Sequence, residues 1–137
     1  MPAKKIQTTG KADDHRTADY LQIFLYRVPK ANGGAFASVQ GKLAELFHRH
    51  GMVRSDFFVL RDARIFGGFR DLRSVLGATP DEEVWVEIET YRDAADSVRV
   101  IGDIGKDPEA DSLFAQVIQL AAPGVLCPQG NAERVHF

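Results

Sequence analysis

An α+β fold is expected for this chain of 137 residues, and three observations point to it. Three stretches alternate their side chains with a period of two, as strands with two unlike faces do. The segments that follow the first and third of them carry apolar residues at three- and four-residue spacing, as amphipathic helices do. In each strand, once helices cover one face, the other remains too apolar to stay in water.

The first strand is Tyr20 to Val28, with Leu21, Ile23 and Leu25 on one face and Tyr20, Gln22, Phe24 and Tyr26 on the other. Pro29 ends it because proline brings no N–H to a ladder. After a turn at Ala31–Gly34, Phe36, Val39, Leu43, Leu46 and Phe47 form one stripe of a helix that runs to about His50, where Gly51 suits the C′ position. Met52 to Leu60 is the second strand. Val53, Ser55, Phe57 and Val59 face one way, and Arg54, Asp56 and Phe58 the other. Residues 61–83 form a long connection broken at Gly67-Gly68 and again at Gly77-Ala78-Thr79-Pro80-Asp81. The central strand, Val84 to Tyr91, sets Val84, Val86, Ile88 and Thr90 against Trp85, Glu87, Glu89 and Tyr91. Asp93 caps a helix to about Ile104, and Asp107-Pro108 opens another that Pro123-Gly124 stops. The last strand is expected at either Val125–Cys127 or Arg134–Phe137.

This order matches the βαββαβ ferredoxin-like pattern, a sheet with helices on one face. The aliphatic faces of the strands are expected to meet the helices. The faces carrying Phe24, Tyr26, Phe58 and Trp85 then need another cover, which a second copy supplies across a two-fold axis. The expected assembly is a homodimer forming a dimeric α/β barrel.

Composition narrows the classes. An apolar content of 45% with 26% charged residues fits an ordinary soluble domain rather than a disordered or membrane chain. A net charge of −2 exerts no general pull on nucleic acid or anionic membranes, so neither is an expected partner. The single Cys127 cannot form an internal disulfide, and no apolar run approaches a membrane span, so a cytoplasmic location is expected. Met1 to Asp19 holds no apolar segment of the signal-peptide kind. Residues 1–18 are expected to be a flexible tail, and 19–137 a single domain.

Val28-Pro29-Lys30 after the first strand, the helix ending His50-Gly51, the acidic lead-in before Val84, Tyr91 followed by a charged helix, and Asp107-Pro108 occur here in order. In these features the chain resembles the small bacterial YbaA-like proteins over roughly residues 20–110. The resemblance implies a dimeric α/β barrel and no particular activity. The family's closing Gly-Gly-Phe strand has no counterpart at this C-terminus.

Inside such a barrel, Tyr26, Arg54, Asp56, Phe58, Trp85, Glu87, Glu89 and Tyr91 are expected to converge. Two neighbouring carboxylates cannot both stay ionised in a dry chamber, so Glu87 or Glu89 is a candidate general base. Arg54 is the candidate for holding an anionic substrate or enolate. Tyr26, Asp56, Phe58, Trp85 and Tyr91 are the candidate substrate contacts. The competing view is that the charged residues pair with one another and fix the register of an interface. His15, His48, His50 and His136 lack ligand spacing, Gly67-Gly68 lacks the phosphate-loop residues, and no metal or other cofactor is expected. The expected function is small-molecule binding in the barrel interior, with chemistry like that of cofactor-independent monooxygenases or isomerases. The alternative is a non-catalytic dimeric module for ligand sensing or assembly.

Overall fold

Alternation along three long strands builds the sheet, and a fourth, short strand completes it. The computed structural model describes residues 18–61, 64–122 and 128–137; the expected tail and the Val125–Cys127 candidate strand lie outside them, save for Ala18. Strand β1 (Tyr20–Pro29) leads through a 3₁₀ turn (Lys30–Asn32) into α1 (Gly33–Arg49), then β2 (Arg54–Val59). The connection holds a single helical turn, α2 (Leu72–Val75), before β3 (Glu82–Tyr91), α3 (Ala94–Ile104), α4 (Pro108–Leu120) and β4 (Gln129–Glu133). The sheet is antiparallel throughout, in the order β2-β3-β1-β4. The β1–α1–β2 unit is therefore split by β3, as the βαββαβ pattern requires.

The local signals act as their chemistry dictates. The Asp93 carboxylate accepts from the Asp96 N–H at 2.7 Å, and Asp107 from the Glu109 N–H at 3.0 Å, with Pro108 opening α4. Gly51 leaves α1 at φ 111°, in the left-handed region, and a Cβ there would lie 2.7 Å from Arg99 Nη2.

Two expectations are corrected. The final strand is Gln129–Glu133, not Arg134–Phe137. Gln129–Glu133 has no apolar alternation; it is a strand because the edge of β1 offers it a ladder, with Tyr20 opposite Glu133 and Phe24 opposite Gln129.

The second correction concerns the faces. The helices cover Tyr26, Val28, Trp85 and Tyr91, not Leu21, Ile23, Leu25, Val86 and Ile88. Phe36 of α1, fully buried, sets its ring edge-on to Tyr26 at 5.2 Å and to Trp85 at 5.1 Å. Aromatic rings bring roughly 150–250 Å² each out of water, more than Val or Ile can. Their hydroxyl tips also find carboxylates on the same face. Leu21, Ile23, Leu25, Val86 and Ile88 lie on the other side, half-buried. Only β2 keeps its expected orientation, with Ser55, Phe57 and Val59 toward the helices, since Ser55 pairs with Glu89 and Phe57 with Glu87. The returning connection reaches one end of the open side, where Arg27 Nη1 donates to the Gly77 carbonyl.

Candidate active site

Directly opposed residues of antiparallel strands share a face, with Cβ atoms roughly 4.5–5.5 Å apart. On the helix side of the sheet, one row therefore reads Ser55, Glu89, Gln22, Asn131, and the next Phe57, Glu87, Phe24, Gln129. The two glutamates stand two residues apart on β3, in the middle of the sheet. Both are 6% exposed.

A cavity of about 260 Å³ lies over them. Its floor is the sheet, with Gln22, Phe24, Tyr26, Ser55, Glu87 and Glu89. Its roof is Gln40, Leu43, Ala44 and Phe47 of α1, and Ile101 of α3 and Phe114 and Val117 of α4 close the side. Ile101, Phe114 and Gln129 are exposed as well as lining it, and so form the mouth. The volume is just under the roughly 300–1,000 Å³ of ordinary ligand sites, so a compact ligand of one or two rings fits.

The electrostatics are set by burial. The Tyr26 hydroxyl donates to Glu87 Oε1 at 2.6 Å, and the Tyr91 hydroxyl to Glu89 Oε1 at 2.8 Å. Desolvation pushes the Glu89 carboxyl up to about 9, helped by the charge of Glu87 and a hydrogen bond with it. Glu87 is raised by desolvation too, but the hydrogen bonds from Glu89 and Tyr26 pull it back. At neutral pH Glu89 therefore keeps its proton and shares it toward Glu87. Burial, then the neighbouring Glu89, raises the Tyr91 hydroxyl, so it stays a donor.

The eight candidate residues divide. Tyr26, Glu87 and Glu89 line the cavity. Trp85 and Tyr91 share that face without lining it; Trp85 packs on Phe36, and Tyr91 supports Glu89. Arg54, Asp56 and Phe58 do not join them, which corrects the expected convergence. They lie on the open side, where Arg54 Nε donates to Asp56 Oδ2 at 2.8 Å and Phe58 is 54% exposed. Arg54 consequently cannot hold an anion beside the carboxyl pair. No Arg, Lys or His is among the described residues that line the cavity.

Gln40 and Ser55 are polar lining residues that escaped the sequence. Gln40 sits in the buried stripe of α1, between Val39 and Leu43, at 2% exposure. A polar residue in an apolar helical stripe is a legible signal, since buried amides need partners. Ser55, on the helix side of β2, carried no comparable mark. Among the described residues no group of three His, Cys, Asp or Glu side chains is arranged to hold a metal ion.

Residues 19–119 match a family model described as a protein of unknown function (DUF1428). No curated protein matches the chain. Among solved structures, the chain is similar to the N63A mutant of SnoaB, a cofactor-independent oxygenase from Streptomyces nogalater. The identity is 17% and the TM-score 0.58, with 88% of this chain and 96% of that one covered. A second SnoaB structure aligns at 18% identity and TM-score 0.51, over 88% and 97% of the two chains. A Bacteroides thetaiotaomicron protein of unknown function, described as a possible oxidoreductase, aligns at 14% identity and TM-score 0.54, over 85% and 99%. At these identities the likeness is one of fold.

Proposed function

We propose, for a chain that belongs to the DUF1428 family of proteins of unknown function, that the cavity between helices and sheet binds a small apolar carbon acid. The Glu87–Glu89 pair takes a proton from it. The supporting observation is the buried carboxyl pair at the floor of an apolar cavity, each member held by a tyrosine hydroxyl. Glu87, the more readily ionised member, is the general base; Glu89, kept neutral by burial, turns its proton from Glu87 to the oxygen on which charge develops. Phe24 and Tyr26 contact the substrate, while Trp85 and Tyr91 hold the pair in place. The fold likeness to a cofactor-independent oxygenase supports the step after deprotonation. The carbanion reduces dioxygen, so that an activated CH2 and O2 become a carbonyl and water.

The test is exchange of the α-protons of 2-tetralone, a compact neutral carbon acid, in D2O, followed by NMR. Glu87→Gln should slow the protein-dependent exchange by at least about 100-fold, the lower end for general acid–base catalysis. Exchange at the wild-type rate in that variant overturns the assignment. A second possibility, a non-catalytic ligand sensor, is favoured by the tyrosine partners of both carboxyls. It predicts binding of 2-tetralone with no exchange above buffer.

We propose also that a second copy of the chain covers the open side of the sheet, giving the dimeric α/β barrel. Leu21, Ile23, Leu25, Val86 and Ile88 lie on it together, with Phe58 more than half exposed, and a self-complementary apolar face of this kind suits a two-fold contact. Arg54 and Asp56 then belong to that interface. The YbaA-like proteins are proposed as near relatives. The lone Cys127 supports a cytoplasmic location, and no helix among the described residues is long and apolar enough to cross a membrane.

A further inference from the structure

We infer that the cavity selects an uncharged ligand bearing a hydrogen-bond-accepting oxygen, such as a ketone or a phenol, and that Gln40 and Ser55 are the residues that select it. The inference rests on the cavity being a ligand site, as proposed above, and assigns the ligand class.

Charge is the first ground. The cavity is lined by two carboxyls and by no cation among the described residues. An anion entering it would leave water for apolar walls, beside two carboxyl groups and with no cation among the described lining residues to pair with. Carboxylates and phosphates are thereby excluded.

The second ground is a pair of donors without partners. Gln40 Nε2 and Ser55 Oγ are buried, and neither has a hydrogen-bond partner among the described residues. Both side chains line the cavity. A buried donor left unpaired is destabilising, and folded proteins carry few of them. These two belong to opposite walls: Gln40 hangs from α1, and Ser55 stands on β2 directly opposite Glu89 in the ladder. The terminal amide torsion is soft, so the Gln40 amide turns toward a ligand at little cost. An oxygen between the walls would accept from Gln40 above and from Ser55 or the Glu89 acid below.

An ammonium ligand fits less well. An ammonium group gives up more hydration than a neutral oxygen on entering apolar walls, and Oε1 of each carboxyl already accepts from Tyr26 or Tyr91.

The experiment uses four probes of one shape at neutral pH with the full chain, measured by titration calorimetry: 2-naphthol, 2-methylnaphthalene, 2-naphthoate and 2-naphthylmethylammonium. 2-Naphthol should bind at least tenfold more tightly than each of the others. Gln40→Leu should remove the advantage over 2-methylnaphthalene and leave the binding of 2-methylnaphthalene itself unchanged. Ser55→Ala supplies an independent arm if the Leu variant does not fold, and should reduce the advantage at least threefold. Naphthoate or the ammonium binding as tightly as naphthol overturns the inference. So does a Gln40→Leu variant that weakens naphthol and methylnaphthalene equally. The outcome separates from that of the base assignment. A naphthol preference with exchange unchanged in Glu87→Gln sinks only the base. Exchange lost in Glu87→Gln with no naphthol preference sinks only the selectivity.

Discussion

The two sides of this sheet invert a common expectation. The helix side carries Glu87, Glu89, Gln22 and four aromatic residues with polar tips, Tyr20, Tyr26, Trp85 and Tyr91, and it is the closed side. The open side carries Leu21, Ile23, Leu25, Val86 and Ile88, which lie outside the buried cluster that the helices form among the described residues. Burial therefore does not follow the count of polar atoms. It follows the apolar area that each face can remove from water, provided that polar tips find partners there. Tyr26 and Tyr91 satisfy both conditions at once, because each ring packs against the helices while its hydroxyl bonds a carboxylate.

Truncating the closed side at its centre is expected to have the largest effect. Phe36→Ala removes a fully buried ring that touches both Tyr26 and Trp85, and should cost about 3–5 kcal/mol in denaturant unfolding. A loss under about 1 kcal/mol would mean that this side is not the core. On the open side, Ile88→Asp should leave the protomer folded yet abolish self-association. Sedimentation should then show a dimer for the wild type and a monomer for the variant, a loss of roughly 2 kcal/mol or more in association. A wild-type monomer at micromolar concentration would remove the proposed interface.

The carboxyl pair adds a pH dependence peculiar to the closed side. The folded protein keeps on Glu89 a proton that the unfolded chain releases above its ordinary value of 4.5, up to about 9. Its contribution is therefore most favourable below pH 4.5 and is lost as pH rises toward 9, at up to about 1.4 kcal/mol per pH unit. Unfolding midpoints at pH 5.5 and 8.5 measure it. Glu89→Gln should flatten the difference, and an unchanged slope would remove Glu89 as the proton's holder. The smallest effect is expected at Arg54→Ala, within about 1 kcal/mol of protomer stability and without change in 2-tetralone exchange, since its ion pair with Asp56 is exposed and on the other side.

Much of the fold was legible because its signals are local. The period of two in Tyr20–Val28 and Val84–Tyr91, the stripe from Phe36 to Phe47, and the caps at Asp93 and Asp107 act within a turn or a strand of themselves. Strand β4 was not legible: Gln-Gly-Asn-Ala-Glu has no strand character of its own, and only the free edge of β1 makes it one. In the candidate site, Glu87, Glu89 and Tyr26 were found because alternation keeps them on one face. Arg54, Asp56 and Phe58 did not join them because β1 and β3 present their aromatic faces to the helices while β2 keeps its expected orientation, a choice that alternation within a strand does not make.

What this sequence determined by itself is which side chains travel together along each strand and helix, since that follows from backbone geometry alone. Which of two sheet faces receives the helices was left to the tertiary structure. A period of two is symmetric between the faces. The choice fell to contacts that no single segment contains: the Phe36 ring edge-on to Tyr26 and Trp85, and two tyrosine hydroxyls reaching two buried carboxyls.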